Sequence, residues 1–535
     1  MPSRILTERA QRGAAGAETI PALTRPPPPY VVPQGVEREM ACPALARGGA
    51  RTGRRGGGGG RVRVRADWLL IREHGVPAAE VFYTRYEREP RDPRRPLMFL
   101  FNGGPGAASA FLHVGTAGPR RAQFTADGRV LPPPARLVDN AETWLRCADL
   151  VFVDPVGTGL SRTVAESRLE QQALHVDDDQ RRRRTKALPA AKKGFYTIKR
   201  DIGVLAEFVS AMLSETRRWD SPVYIAGESY GGFRVGKLMR ALPERGVGLC
   251  GAVMISPAID FLSIIGTDYD LLSWLCAVPT MALTARVHGK VRGRFASLRP
   301  AALAEAAERF AVDDLAPVLL RGDAGAASER GRVFAALAEL IGLPREIVTR
   351  CGGRVRVDTF ARELLRAEGL VCGLYDGAIT GHNVFPDREV GWTEPTPTPD
   401  PTLAGITSTF ASAANTLLRR ELGLSTWREY HLMSHEAWQT WIDDQSLGYW
   451  QRQLECADDV RWGMAATPGL KLLVCHGLYD LVTTYASSAQ SVAALRLPGA
   501  LRARVALRNY PGGHMFYTWE ASRRGVLKDI AGVVA

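Results

Sequence analysis

The chain has 535 residues, 45% of them hydrophobic and 23% charged, with a formal net charge of +13. That balance excludes a collagen-like or wholly disordered chain and leaves ample material for a core. A nucleic-acid surface is not indicated: residues 1–66 carry twelve arginines against four glutamates and residues 177–193 seven basic against three acidic groups, leaving about +1 for everything else, so the basicity belongs to a solvated tail and a solvated loop.

Residues 1–60 are rich in Pro, Gly, Ala and Arg and end in "RRGGGGG". Such a segment cannot bury enough apolar surface to offset its ordering entropy, and it is expected to be disordered. Its first twenty-five residues show no apolar run of secretory-signal length, so the expectation is a cytoplasmic chain, exported only from a different start. From residue 62 the pattern alternates. "RVRVRADWLLIR" and "AEVFYTRYER" flank an "HGVP" turn and predict a hairpin. Short apolar runs ending in glycine-rich loops follow: "PLMFLFNGGPG" (96–106), "ADLVFVDPVGTG" (148–159) and "PVYIAGESYGG" (222–232). Later come "CGAVMISPAID" (250–260), "KLLVCHGLYD" (471–480) and "ARVALRNYPGGH" (503–514). Helical patterns such as 197–219 separate several of them. Apolar strands alternating with helices predict an α/β fold with a mostly parallel sheet.

The rhythm changes between residues 261 and 450, where Ala- and Leu-rich helical stretches surround the proline-rich "TEPTPTPDPT" (393–402). This segment reads as a mainly helical cap inserted into the core. The expected organisation is a tail (1–60), a first core part (61–260) with a loop insertion (164–193), the cap (261–450) and a second core part (451–535). The longest apolar run, "LLSWLCAVPTMAL" (271–283), is too short to span a bilayer. Eight scattered cysteines form no CxxC, and His431 and His435 lack the HExxH order, so no metal site is signalled.

The glycine-rich loops sit where ligands bind in such sheets, beyond the strands' carboxyl ends. One holds a G-x-S-x-G pattern, Gly227-Glu228-Ser229-Tyr230-Gly231, between an apolar strand and a helix-compatible stretch. A sharp strand-to-helix turn crowds the neighbours of a nucleophile, hence glycines two residues either side. A serine hydroxyl needs a base, and on this kind of sheet the partners follow in the order Ser, acid, His. Asp480 ends an apolar strand, and His514 is the one histidine after it. Chain order therefore selects Ser229, Asp480 and His514 as nucleophile, orienting acid and base. The backbone N–H groups of Tyr230, next after the nucleophile, and of Gly104, in "FNGGPG", are the expected oxyanion donors.

"NGGPG", "DPVGTGLS", "GESYGG", the strand-end Asp480 and "GGHM", in that order, resemble the serine carboxypeptidase family of the α/β-hydrolase superfamily, most of all its bacterial branch. The resemblance implies an α/β-hydrolase fold with a mostly parallel central sheet and a helical cap. It also implies removal of C-terminal residues from peptides through an acyl-enzyme, without metal or cofactor. Asn102, Gly103 and a protonated Glu228 would bind the substrate's terminal carboxylate, and Met515 would line the pocket for the departing residue. The implied partners are peptides or proteins with a free C-terminus, not nucleic acid. The same triad also serves esterases and acyltransferases, so fold and triad leave that alternative open.

Two departures from the family pattern stand out. Ala107 and Ala108 follow "NGGPG", where the family usually has cysteine. "TAGP" stands where many members have "ELGP", so Thr116 replaces a second glutamate that pairs with the one in "GESY". Without that pairing Glu228 is expected to stay protonated over a narrower acidic range, giving a less acidic optimum than in members with the pair. Arg120 or Arg121 would be a substitute carboxylate contact.

Overall fold

The computed structural model describes residues 30–46, 60–173, 194–386, 399–442 and 454–535. A ten-stranded sheet organises these residues. Its strands are β1 (Val36–Ala41), β2 (Arg61–Glu73), β3 (Val76–Arg88), β4 (Leu97–Phe101), β5 (Asp149–Val153), β6 (Val223–Glu228), β7 (Leu249–Ile255), β8 (Lys471–Gly477) and β9 (Val505–Tyr510), with Arg162–Thr163 pairing on β3. Their order in space is β1-β2-β3-β5-β4-β6-β7-β8-β9. The first three strands pair antiparallel, as does β3 with β5, and every pair from β5 to β9 is parallel.

The sequence pattern explains the strand positions. Val62, Val64 and Ala66 are buried while Arg61, Arg63 and Arg65 face water, the two-residue period of a half-covered edge. The central strands β4, β5 and β6 are buried at every residue, as a parallel sheet covered on both faces requires. Alternate residues divide between two cores. Met98, Leu100, Ala226 and Ile255 join Phe410 and Ile530 on one face. Leu97, Phe99, Phe101 and Ile225 join Phe208 and Val235 on the other. Phe208 belongs to helix α1 (Ile198–Thr216) and Val235 to α2 (Tyr230–Ala241). On the first face Phe410 lies on α3 (Leu403–Asn415) and Ile530 on α4 (Glu520–Val534).

Two sequence expectations are corrected. The tail was expected to be disordered to residue 60, but Val36–Ala41 pairs in register with Arg61–Ala66, and Cys42 and Leu45 are buried. Composition averaged over sixty residues hides a six-residue edge strand whose Val36 and Met40 pack on the core. The insertion at 164–193 begins as a helix, Val164–Ala173, and the remainder lies outside the described residues. The basic stretches 1–29, 47–59 and 177–193 and most of "TEPTPTPDPT" also lie outside them.

Within the stretch expected as a cap, Val278, Met281, Leu303, Phe334 and Phe360 form a separate core with Leu481 and Tyr485, whereas α3 packs on the sheet. Leu481 and Tyr485 lie one and five residues after Asp480, so this core closes onto the end of β8. Among the described residues no helix is long and apolar enough to cross a membrane. Register sets the location of the site. Phe101 pairs with Gly227, Glu228 with Ile255, and Ile255 with Cys475. The loops after β4, β6, β7 and β8 therefore leave the sheet side by side.

Candidate active site

Ser229 sits at the end of β6 with φ 61° and ψ −125°, a left-handed conformation that costs a non-glycine residue about 1–3 kcal/mol. It is half-buried, whereas all of β6 and the following Tyr230 are buried. The turn is held by the surroundings: Ser229 N–H donates to Ile255 O (2.9 Å), and Gly232 and Ala258 N–H donate to Ser229 O (2.8 and 3.2 Å). Two backbones interlock here. A Cβ on Gly231 would come 2.4 Å from Phe101 O, and one on Gly103 would come 2.5 Å from Tyr230 N. The glycines of "NGGPG" and "GESYGG" thus let the loop after β4 lie against the turn after β6. That contact brings the Gly103–Gly104 segment beside the Tyr230 amide, at the start of α2. A helix N-terminus favours developing negative charge. The Gly104 N–H has no hydrogen-bond partner among the described residues.

His514 Nδ1 and Asp480 Oδ2 are 2.8 Å apart, both side chains buried. Asp480 Oδ1 accepts from Val482 N–H (2.9 Å) and Thr483 N–H (3.0 Å). Thr483 Oγ1 lies 2.8 Å from Asp480 Oδ2, 2.9 Å from Ser256 O and 3.1 Å from His514 Nδ1. Burial pushes the His514 imidazole down, but the charge and hydrogen bond of Asp480, with Glu228 nearby, outweigh it and leave its pKa above the ordinary value. The two halves of the constellation meet at the end of β7. Ser229 N–H bonds Ile255 O, and the next residue, Ser256, donates its hydroxyl to His514 O (2.8 Å). Ser229 Oγ itself makes no hydrogen bond among the described residues, to His514 or to any other group.

Glu228 is 3% exposed. Its Oε2 accepts from Asn102 Nδ2 and from Tyr517 OH, both at 2.8 Å. The Asn102 amide is fixed at its other end, where Oδ1 accepts from Leu112 N–H (3.0 Å). Burial pushes Glu228 up to about 7, against the opposing pull of His514 and the two hydrogen bonds. The sequence expectation was a narrower protonated range for want of a second carboxyl; burial instead raises the Glu228 pKa to about 7 without one. Thr116 is fully buried, and its hydroxyl has no hydrogen-bond partner among the described residues. Arg120 pairs with Asp139 and, at 3.0 Å, with Glu421. Arg121 donates to Ala122 O. Arg120 is thus engaged elsewhere, whereas the buried Nε of Arg121 has no hydrogen-bond partner among the described residues. Met515 is buried in the core beside α4.

Four residues at the site went unread in the sequence. Arg234, 2% exposed, pairs with Asp201 (2.8 Å) and donates to the carbonyls of Asn102 and Gly103, pinning the loop after β4 from below. Thr483 carries the acid, as above. Tyr517 holds Glu228. Asp376, from the cap, accepts from Gly513 N–H and Trp519 Nε1 (2.9 Å each) and from Ala378 N–H (3.0 Å), while Tyr375 O accepts from His514 N–H (2.5 Å). The "GESYGGFR" stretch does display Arg234 five residues after the serine, but its acceptors come from a loop far away in the chain.

The sheet order, the strained turn after β6 and the acid and histidine loops after β8 and β9 define an α/β-hydrolase. The family model described as "Serine carboxypeptidase" matches residues 63–253. Over 206 residues the chain is 30% identical to a pheromone-processing carboxypeptidase of Leptosphaeria maculans, covering 36% of this chain and 26% of that protein. It is 26% identical over 198 residues to the serine carboxypeptidase S10 family member 1 of Dictyostelium discoideum, covering 35% and 39%. These matched stretches span about a quarter to two-fifths of the relatives' lengths. Among solved structures, a prohormone-processing carboxypeptidase from Saccharomyces cerevisiae aligns over 88% of this chain and 91% of that chain, at 13% identity and a TM-score of 0.48. The resemblance read from the motifs is borne out over residues 63–253, the stretch that matches the serine carboxypeptidase family model.

Proposed function

We propose that the chain is a serine-type carboxypeptidase that hydrolyses C-terminal peptide bonds through an acyl-enzyme. The observation that carries this reading is a buried carboxyl, Glu228, adjacent in sequence to the turn serine and pushed up to about 7. A hydrolase of neutral esters has no use for such a group. A protonated acid with an adjacent amide is suited to hydrogen-bond a substrate carboxylate.

In the proposed reaction the terminal carboxylate is held by Glu228, Asn102 and the Gly103 backbone. Ser229 Oγ attacks the last peptide carbonyl as its proton passes to His514 Nε2. The tetrahedral oxyanion takes hydrogen bonds from the Gly104 and Tyr230 N–H groups. His514 then protonates the amine, the C–N bond breaks, and the terminal amino acid leaves past Met515. Water, deprotonated by the same imidazole, cleaves the ester and restores Ser229. Asp480 holds the His514 tautomer and stabilises the imidazolium. The Asp480–His514 hydrogen bond supports these roles.

The test compares a free-acid peptide with its C-terminally amidated twin, read by mass spectrometry. Stepwise shortening of the free acid from its C-terminus, with the amide spared, is expected. Equal hydrolysis of both, or hydrolysis of simple esters alone, would refute the proposal in favour of the esterase or acyltransferase alternative.

A further inference from the structure

The carboxyl of Glu228 has two oxygens in unlike surroundings. Oε2 receives two donors, Asn102 Nδ2 and Tyr517 OH, each at 2.8 Å. Oε1 has no hydrogen-bond partner among the described residues. In a neutral carboxylic acid one oxygen carries the proton and the other accepts. Both donors on Oε2 make it the acceptor, which leaves the proton to Oε1.

The phenol is built into this place. Tyr517 is fully buried and lies three residues after His514. Its ring lies against Gly115, where an added Cβ would come 2.7 Å from Cε2. Gly115 immediately precedes Thr116, where the resemblance sets a second glutamate. Burial and the neighbouring Glu228 hold the phenol well above its ordinary pKa, so it remains a donor throughout the working range. The other groups bearing on Glu228 are His514 and Asp480 from the two catalytic loops and Tyr375 from the cap.

We infer that Tyr517 is a positioning residue for carboxylate recognition: with Asn102 it fixes Glu228 Oε2 as the accepting oxygen and thereby holds the proton on Oε1 for the substrate's C-terminal carboxylate. A neutral phenol here does the work of a second carboxyl without adding a charge that titrates. The inference rests on the carboxypeptidase reading for its substrate, but not for the state of Glu228.

Infrared difference spectra of the wild type and Tyr517→Phe, each against its own Glu228→Gln counterpart, isolate the protonated Glu228 band and its titration without substrate. The wild-type band is expected at the lowered frequency of a carbonyl that accepts hydrogen bonds. In Tyr517→Phe the band shifts up, and the Glu228 midpoint rises by about one pH unit, because a donor to the charged form is lost. On a free-acid peptide at pH 5.5, Tyr517→Phe is expected to raise KM about tenfold while kcat and fluorophosphonate labelling of Ser229 hold. An unchanged Glu228 band and midpoint would overturn the inference. So would a fall in kcat and labelling with KM unmoved, which marks a structural role. The wild-type spectrum keeps the test decisive even if the variant does not fold, since an unbonded carbonyl frequency there overturns it too. The spectra involve no substrate, so their outcome is separate from the free-acid and amide comparison that decides the carboxypeptidase reading.

Discussion

At the scale of single residues, the proposed reaction gives Ser229 and Glu228 different parts. Ser229 is held in a strained conformation and left half-exposed, and Ser229→Ala should lower kcat/KM by roughly 10⁴–10⁶-fold, measurable by peptide hydrolysis, with the melting temperature little changed. Glu228 sets the alkaline side of the profile. Below about 7 it is neutral and, in the proposed reaction, would bind a carboxylate; above, it is ionised and would repel one. The fall in kcat/KM for a free-acid peptide should therefore centre near pH 7, on top of an acid-side rise as His514 loses its proton. Glu228→Gln, permanently neutral and able to keep both hydrogen bonds through its carbonyl oxygen, should abolish the alkaline fall and leave the acid-side rise. The same shift has a stability consequence. A carboxyl raised in the folded state contributes most below its unfolded pKa and loses that contribution as pH rises through about 7. Glu228→Gln should therefore raise the melting temperature more at pH 8.5 than at pH 5, as scanning calorimetry would show.

At the scale of elements, residues 375–376, from the stretch expected as a cap, belong to the framework of the candidate site. The segment around Tyr375 and Asp376 grips the His514 loop so closely that a Cβ on Gly513 would come 2.0 Å from Tyr375 O. Asp376 accepts three hydrogen bonds, two of them from Gly513 and Trp519 on either side of the histidine. Asp376→Asn turns an amide NH₂ toward one of these donors. It should lower kcat about tenfold on a free-acid peptide with KM unchanged, as steady-state kinetics would show. This explains which parts of the site could be read in the sequence. Ser229, Asp480 and His514 were legible because strand ends and chain order select them without any knowledge of contacts. Tyr517, Thr483, Arg234 and Asp376 were not, because each acts through a partner that only the folded chain brings near. Thr116 shows the boundary well. Its sequence announced a missing partner for Glu228, but the replacement is an aromatic residue some four hundred positions away.

At the scale of the molecule, distant segments are tied by a buried polar cluster at the antiparallel edge of the sheet. Arg428, in the irregular segment after Glu421, pairs with Glu80 of β3 at 2.5 Å and donates to Ser167 at 2.7 Å, and Tyr30 of the N-terminal segment donates to Glu80 as well. Arg428 is 2% exposed and Glu80 is fully buried. Removing one charge strands the other, so Arg428→Met should destabilise the fold by about 3–5 kcal/mol, measured by urea denaturation. The alternating edge strands and the apolar central strands were read correctly from period alone. The edge strand at 36–41 was missed because a composition average cannot see six residues that find their partner beyond a glycine run.

The grip of the cap on the histidine loop also bears on modularity. A helical insertion on this kind of scaffold invites exchange, since it is one continuous stretch of chain. In this chain, however, part of the histidine's seat is built from residues of the insertion. A transplanted lid that altered specificity but lacked the 375–376 backbone and carboxylate would hand the recipient a new pocket and a loosened base at the same stroke. The unit that can be moved intact is therefore the insertion together with its contact loop, and a lineage that diversifies its lids has to carry that short stretch along unchanged.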